Sequence, residues 1–209
     1  NLPASVTWWQ SIICRVIAVV FVKCLFGGIG KNFANPAITA RIILLLAFSA
    51  SVGAAVQPVI GDATSTATPL TILKLDYGIL PSLFEMMIGL RGGAIGETCS
   101  LALILGGVYL MIRKVITWHT PVIFVGCVFL FTLILNGSLE FALYEVLSGG
   151  LLIGAIFMAT DYSTTPSRAW GKVIFAVGCA IITVAIRMWG SYPEGVSFAI
   201  LFMNILTPY

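Results

Sequence analysis

Long runs of apolar residues alternate with short polar connections along the whole chain. The apolar segments lie at about residues 10–26, 37–56, 79–90, 94–112, 121–135, 146–160, 173–189 and 196–206. A bilayer requires about 20 consecutive apolar residues per spanning helix, and several of these segments reach or approach that length. The pattern predicts an all-α polytopic membrane protein with a single transmembrane domain over residues 1–209.

Several segments are shorter than a full span and are interrupted by glycine or proline. Examples are the Leu-Pro pair at 80–81 and the Gly pair at 92–93. Such breaks are typical of half-helices and of irregular backbone that lines a protected cavity. We therefore expect at least one broken or re-entrant helix, and close approach of neighbouring helices at the glycine pairs.

The composition agrees with a membrane location. Hydrophobic residues make up 59% of the 209 residues and charged residues only 9%, whereas soluble domains carry about 25% charged residues. The formal net charge of +3 is too small to indicate a polyanionic partner, so no nucleic-acid partner is expected and the lipid bilayer is the expected surrounding.

The cysteines and the single histidine do not suggest a metal site. The cysteines occur singly inside apolar segments without C-x-x-C spacing, as expected of small buried side chains. His119 lies beside Trp118 and is expected at the membrane interface. The five cysteines are Cys14, Cys24, Cys99, Cys127 and Cys179.

Basic residues predict the orientation in the membrane. Arg113 and Lys114 fall in one short loop, and Arg168 and Lys172 fall in another loop two spans later. Because cytoplasmic loops are enriched in Lys and Arg, both loops are predicted to be cytoplasmic. Further basic residues around the connection between the first two segments are assigned to the same side: Lys23, Lys31 and Arg41.

The remaining connections are predicted on the outer side. The connection that holds Glu140 and Glu145 lies between the two basic loops and contains neither Lys nor Arg. Counting back from it, the loop at 57–78 is also outer if the segment 79–90 is re-entrant or interfacial. Two arginines inside spans are expected to face a partner, a cofactor phosphate or a carboxylate: Arg15 and Arg187.

The outer loop at 57–78 carries the most unusual composition in the chain. Its residues 61–70 read Gly-Asp-Ala-Thr-Ser-Thr-Ala-Thr-Pro-Leu. Composition alone favours an ordinary polar surface loop, because Ser and Thr hydrogen-bond their own backbone and favour turns. However, the arrangement Asp62-x-x-Ser65-x-Ala67-Thr68 resembles the flavinylation signature of the membrane and exported flavoproteins of sodium-pumping NADH:quinone reductase and of the Rnf complex.

This resemblance implies that Thr68 carries FMN through a phosphoester, with Asp62, Ser65 and Ala67 recognised by a flavin transferase. Attachment through the phosphate leaves the isoalloxazine ring unmodified for electron transfer. Thr66 stands where the signature has Gly, so Thr66 is the alternative acceptor.

Further blocks resemble the RnfD/NqrB family in the family's order and cover nearly the whole chain, with RnfD the more similar branch. They lie at residues 26–37, 92–99, 154–161 and 192–199. The resemblance implies a fold like that of urea transporters, with two inverted repeats and broken or re-entrant helices. It also implies a chain truncated at both ends relative to family members.

The resemblance gives Asn32 and Asn35 a role in binding a second, noncovalent flavin, riboflavin. Their spacing beside Pro36 allows both amides to face one planar heterocycle. The alternative is that the amides cap the helix that begins near Pro36.

Carboxylates within apolar segments are candidates for an ion site or a cavity, because an unpaired charge in hydrocarbon is costly. The candidates are Glu97, Asp161 and Glu85. The alternative for Glu97 is an N-cap or first-turn position of a helix starting near residue 98. The alternative for Asp161 is a helix end paired with Arg168 or Lys172.

The resemblance implies a multi-pass subunit of the prokaryotic inner membrane that relays electrons within an Rnf complex. That complex couples ferredoxin oxidation and NAD reduction to Na+ or H+ translocation. We expect no catalysis by the chain alone and no binding of ferredoxin or NAD, because it has neither iron–sulfur cysteine spacing nor a dinucleotide-binding fingerprint. The expected partners are the other Rnf subunits and the flavin transferase.

Three alternatives remain open at this point. An NqrB-type subunit of Na+-translocating NADH:quinone reductase keeps the flavins and changes the electron donor and acceptor. A small-solute channel or transporter of the same fold would have no redox chemistry. A structural scaffold subunit would tolerate loss of Thr68.

Overall fold

A computed structural model describes residues 2–3, 5–28, 31–53, 55–57, 64–75, 78–190, 192 and 194–207, with side chains outside 55–57 and 64–66. Helices dominate, and one two-stranded antiparallel hairpin pairs β1 (Ala55–Gln57) with β2 (Thr64–Thr66). The helices are α1 (Trp8–Val16), α2 (Pro36–Ala47), α3 (Ser49–Val52), α4 (Pro69–Leu75), α5 (Leu83–Ile88), α6 (Ser100–Ile112), α7 (His119–Asn136), α8 (Leu139–Leu147), α9 (Leu151–Ile153), α10 (Ala169–Trp189) and α11 (Val196–Leu206). π-Helical turns extend α1 over Ile17–Cys24 and α9 over Gly154–Met158.

Within the described residues, α7 and α10 are each long and apolar enough to cross a membrane. The pair formed by α8 and Leu151–Met158 passes the same criteria together but bends by 62° at the break. Helices α2, α6 and α11 are apolar and shorter than a span. The prediction of an all-α polytopic membrane protein is thus confirmed, while its relation to urea transporters stays a prediction.

The break after α8 is a broken helix of the kind expected, and it lies at the glycine pair 149–150, for which the sequence predicted only a close approach of neighbouring helices. Gly149 has a φ of +61°, in the left-handed region that favours glycine. Its position faces Leu70 of α4 and Arg187 of α10. A side chain there would therefore meet both neighbouring elements.

The predicted outer loop with Glu140 and Glu145 is wrong, because both residues lie in α8. Only Gly137 and Ser138 separate α7 from α8, and the Ser138 hydroxyl accepts a hydrogen bond from the Phe141 N–H at 3.4 Å. The acidic residues indicated a loop because the sequence does not show which basic residue pairs with them. In the structure, Glu145 pairs with the buried Arg187 of α10.

Three predicted apolar segments are longer than the helices that form in them. Segment 37–56 becomes α2, α3 and the first residues of β1, and segment 79–90 forms a helix only at Leu83–Ile88. In segment 94–112 the helix begins at Ser100, and the residues before it form an irregular loop. Hydropathy alone does not distinguish an apolar loop from an apolar helix, because both are equally apolar when neighbouring helices cover them.

The core lies where α10 packs between α7 and α11. Phe124 and Val128 of α7 meet Phe175 and Cys179 of α10, and all four are essentially inaccessible to solvent. Ile38 of α2 joins the same cluster. This core anchors α2, which forms one side of the candidate site described below.

The two ends of α10 mark the two ends of the molecule. At the N-terminal end, Lys172 Nζ donates to Thr117 Oγ1 at 2.9 Å, so the two basic loops lie together. At the C-terminal end, Lys74 Nζ of α4 donates to the carbonyl oxygens of Gly190 and Tyr192. A helix of 21 residues extends about 30 Å. The segment containing α4 therefore lies opposite the basic loops.

Candidate functional site

A cavity of about 200 Å³ opens between α2, α3, α4 and the irregular loop before α6. This volume is smaller than the about 300–1,000 Å³ of a typical small-molecule pocket. Its wall is mainly apolar but includes hydroxyl, carboxylate, guanidinium and phenol groups. The lining residues are Pro3, Arg41, Leu45, Ser49, Val52, Gly53, Thr68, Thr71, Ala94, Glu97, Tyr192 and Glu194.

Thr68 lies on the wall of this cavity, immediately before α4. Its Oγ1 accepts a hydrogen bond from the Thr71 N–H at 3.2 Å and lies 2.7 Å from Thr71 Oγ1. Thr at an N-cap followed by Pro at the first helical position is a favoured start for a helix. The sequence Thr68-Pro69 therefore fixes one hydroxyl at the cavity.

The rest of the flavinylation signature is described only in part. Asp62 lies outside the described residues. Ser65 and Thr66 belong to β2, and their side chains also lie outside the described part of the chain. Ala67 is exposed. The choice between Thr68 and Thr66 as the acceptor stays a prediction.

An ion pair between α2 and the segment before α11 forms another part of the wall. Arg41 Nη2 lies 2.6 Å from Glu194 Oε2, and Arg41 Nη1 donates to Ser197 Oγ at 2.7 Å. Arg41 lies within α2, with 12% of its side chain exposed, and its assignment to the cytoplasmic side stays a prediction. Sequence reasoning singled out neither Glu194 nor Ser197. The available signal was the block at 192–199, which contains both.

Glu97 is buried in the loop before α6, with 2% of its surface exposed. Its Oε1 accepts from the Ala94 N–H at 3.0 Å, and Arg91 donates to the carbonyl oxygens of Glu97 and Thr98 at 2.6 and 2.9 Å. The alternative that Glu97 caps or begins the following helix is wrong, because the N-cap of α6 is Cys99. The carboxylate faces the cavity instead, while its role as an ion site stays a prediction.

The other two candidate carboxylates lie away from the cavity lining. Glu85 forms a capping box with Ser82, accepting from its N–H at 2.8 Å. Asp161 accepts from the hydroxyls of Ser163 and Thr164 at 3.1 and 3.2 Å. In the described part of the chain these hydroxyls take the place of the expected basic partners. The ion roles of Glu85 and Asp161 stay predictions.

The two asparagines near α2 have different surroundings. Asn35 caps the helix, because its Oδ1 accepts from the N–H groups of Ala37 and Ile38 at 3.0 and 3.3 Å, as the capping alternative predicted. Asn32 Oδ1 is buried and has no hydrogen-bond partner among the described residues. A buried acceptor without a partner is costly. Asn32 is therefore the better candidate of the two for a ligand contact.

The sequence profile of the NQR2, RnfD, RnfE family matches residues 1–209. The chain belongs to this family. It is 41% identical over 211 residues to the D subunit of the Na(+)-translocating ferredoxin:NAD(+) oxidoreductase complex of Acetobacterium woodii, covering 100% of this chain and 65% of that protein.

Two further relatives carry similar names. The D subunit of the proton-translocating ferredoxin:NAD(+) oxidoreductase complex of Clostridium ljungdahlii is 38% identical, with 99% of this chain and 67% of the relative covered. The D subunit of the ion-translocating oxidoreductase complex of Halorhodospira halophila is 34% identical, with 100% of this chain and 68% of the relative covered. The chain thus spans about two thirds of the length of these relatives.

Two of the sequence blocks that resemble the family meet at the cavity. The block at 92–99 contributes Ala94 and Glu97, and the block at 192–199 contributes Tyr192 and Glu194. They are far apart in the sequence, so only the fold brings them beside Thr68.

Arg187 pairs with a carboxylate, which confirms one of the alternatives for it. Its Nη1 donates to Glu145 Oε2 at 2.6 Å and to the Glu145 carbonyl oxygen at 2.7 Å. The pair lines a second cavity together with Leu70 and Lys74 of α4. Arg15, in contrast, is exposed on α1.

Proposed function

We propose that this chain is the flavin-carrying RnfD-type membrane component of an ion-translocating ferredoxin:NAD oxidoreductase and relays electrons between partner subunits. One observation carries the proposal. Thr68, the acceptor in the flavinylation signature, lies on the wall of a cavity of about 200 Å³. An attached flavin therefore has a protein-lined space beside its point of attachment.

The residues around Thr68 fit the proposed FMN. The wall combines apolar surface with the Tyr192 ring, the Arg41 guanidinium and the hydroxyls of Thr68 and Thr71. A planar heterocycle with polar edges requires such a mixture of apolar walls and a few polar groups. When bound, FMN supplies one- and two-electron transfer. The chain holds the phosphate end at Thr68, orients the ring and limits its contact with water.

The relatives favour the Rnf assignment over the NqrB-type alternative, since the names of those from Acetobacterium woodii and Clostridium ljungdahlii include ferredoxin and NAD. The same names include both Na+ and proton translocation, so the proposal leaves the coupling ion as Na+ or H+. The proposed partners are the other Rnf subunits and a flavin transferase for maturation.

The proposed orientation in the prokaryotic inner membrane follows from the two ends of α10. The end with Arg113, Lys114 and Arg168 is proposed to be cytoplasmic because of its basic residues. The attachment segment with Thr68 is then on the outer side.

A noncovalent riboflavin is proposed near Asn32, whose buried Oδ1 has no protein partner in the described part of the chain. Asn35, the helix cap, would shape the same segment. This site would lie near the N-terminus of α2, whereas Arg41 and Leu45 farther along α2 line the cavity beside Thr68. At 1.5 Å per residue, Arg41 and Leu45 lie about 8 and 14 Å along the helix from Pro36. The two flavins would thus lie at different positions along α2.

The test compares hydroxyl deletions in the full-length protein, produced with its partner subunits and flavin transferase. Ultraviolet fluorescence of the denatured protein reports covalent flavin, and mass analysis of the peptide containing Thr68 reports its site. We expect Thr68→Val to lose the covalent flavin. Thr117→Val is the matched control, because it removes a threonine hydroxyl among the basic loops, where it accepts from Lys172, and should keep the flavin.

Two outcomes would contradict the assignment. Flavin retained in Thr68→Val but lost in Thr66→Val would move the attachment to Thr66. A dark, unmodified wild-type protein in a host with an active flavin transferase would refute the flavin proposal and favour the solute-transport alternative.

A further inference from the structure

We propose that the Arg41–Glu194 ion pair sets the reduction potential of the flavin on Thr68 by balancing charge at the cavity wall. This inference rests on the proposed function. It assigns a role in tuning the potential to two residues outside the attachment signature. Both line the same cavity as Thr68.

The pair is held in place by three elements. Arg41 is anchored in α2, and its guanidinium bonds Glu194 at 2.6 Å and the Ser197 hydroxyl of α11 at 2.7 Å. The segment that carries Glu194 is tied to α4, because Lys74 donates to the carbonyl oxygens of Gly190 and Tyr192. The helix that follows Thr68, α4, is therefore bonded to the same segment that carries Glu194.

Burial makes the charges of this pair effective. The side chains of Arg41 and Glu194 are only 12% and 21% exposed. Charges in such surroundings interact more strongly than they do in water. Among the described residues, one further carboxylate lines the cavity: Glu97, whose pKa is raised to about 7 by burial and by the neighbouring Glu194, so that it is only partly ionised at neutral pH.

Reduction of the flavin changes the charge beside this pair. The ring becomes one unit more negative when it takes up one proton from solvent and two electrons, which a one-electron carrier in a partner subunit supplies one at a time in two successive oxidations. An unbalanced guanidinium favours that change, and an unbalanced carboxylate opposes it. Loss of either member of the pair leaves the other unbalanced, so the two losses should shift the potential in opposite directions.

The test is a spectroelectrochemical titration of the full-length protein after maturation by the flavin transferase. The signal of the Thr68→Val variant is subtracted, so that the covalent flavin alone is followed. We expect Arg41→Gln to lower the reduced-to-oxidised ratio at a fixed potential at least tenfold, which is about 30 mV for a two-electron couple. Glu194→Gln should raise the ratio by a similar factor, and the double variant should return close to wild type.

Arg113→Gln is the charge-matched control, because it removes one positive charge among the basic loops at the far end of α10, and should leave the potential unchanged. A merely structural role of the pair predicts shifts of the same sign or none, and either result overturns the inference. If the Arg41→Gln protein does not accumulate, Glu194→Gln alone decides the matter. A reduced-to-oxidised ratio that does not rise in this variant overturns the inference. A wild-type protein without covalent flavin would instead refute the proposed function itself.

Discussion

The buried ion pair between α8 and α10 gives the sharpest prediction of stability. The side chains of Arg187 and Glu145 are 1% and 5% exposed, and Nη1 lies 2.6 Å from Oε2. Arg187 Nη2 also donates to the Ser148 carbonyl oxygen at 3.3 Å, at the break between α8 and α9. Changing Glu145→Gln keeps an acceptor oxygen and the side-chain volume but removes the negative charge.

The expected cost follows from the geometry. At 2.6 Å and an effective dielectric constant of 20, two unit charges attract by about 6 kcal/mol. Part of this attraction offsets the desolvation of both groups, and breaking a buried pair typically costs about 3–5 kcal/mol. Because the amide oxygen of Gln still accepts a hydrogen bond, we expect a loss near the lower end, about 3 kcal/mol.

The assay is thermal denaturation of the detergent-solubilised protein, followed by size-exclusion chromatography after heating. A loss of about 3 kcal/mol corresponds to a fall of about 10 °C for a chain of this size. Glu140→Gln is the matched control, because Glu140 is an exposed carboxylate on the same helix. Equal melting temperatures for the two variants would refute the reasoning. The double variant Glu145→Leu/Arg187→Leu should recover much of the loss, since no unpaired charge remains buried.

Two further predictions concern packing and orientation. Gly149→Ala should destabilise the protein by about 1–2 kcal/mol in the same assay, because the left-handed conformation disfavours a side chain and the added methyl would contact Leu70. Gly126→Ala is the control, because a methyl group there enters open space on α7, and it should stabilise the protein by up to about 1 kcal/mol. Equal changes in stability for the two variants would contradict the packing described. In a chain lacking the native cysteines, Ala67→Cys should react with a membrane-impermeant maleimide in intact cells, and Arg113→Cys only after permeabilisation. Labelling of both from the same side would contradict the proposed orientation.

The helices that the sequence predicted well are those whose apolar residues fill a whole element. Segments 121–135 and 173–189 became α7 and α10 with small changes at their ends. Their composition requires burial in lipid or core along the full length, and the helix is the structure that satisfies its own backbone there. Local signals were equally informative where a cap is encoded by adjacent residues, as with Asn35 and Pro36 at the start of α2.

The error at Glu145 has a plain physical cause, which is that the position of a charged residue is misjudged before its partner is known. Glu145 looked like an outer-loop residue. It is buried in α8, because Arg187 neutralises it from a position distant in the sequence.

By itself, the sequence determined the membrane class of the protein, its long helices, its family and the threonine proposed to carry flavin. These depend on composition and on short motifs, which are properties of neighbouring residues. Only the tertiary structure brought the loop with Glu97 and the segment with Glu194 to one cavity beside Thr68. Contacts between distant parts of the chain depend on how helices pack, and that packing produces no local pattern in the sequence.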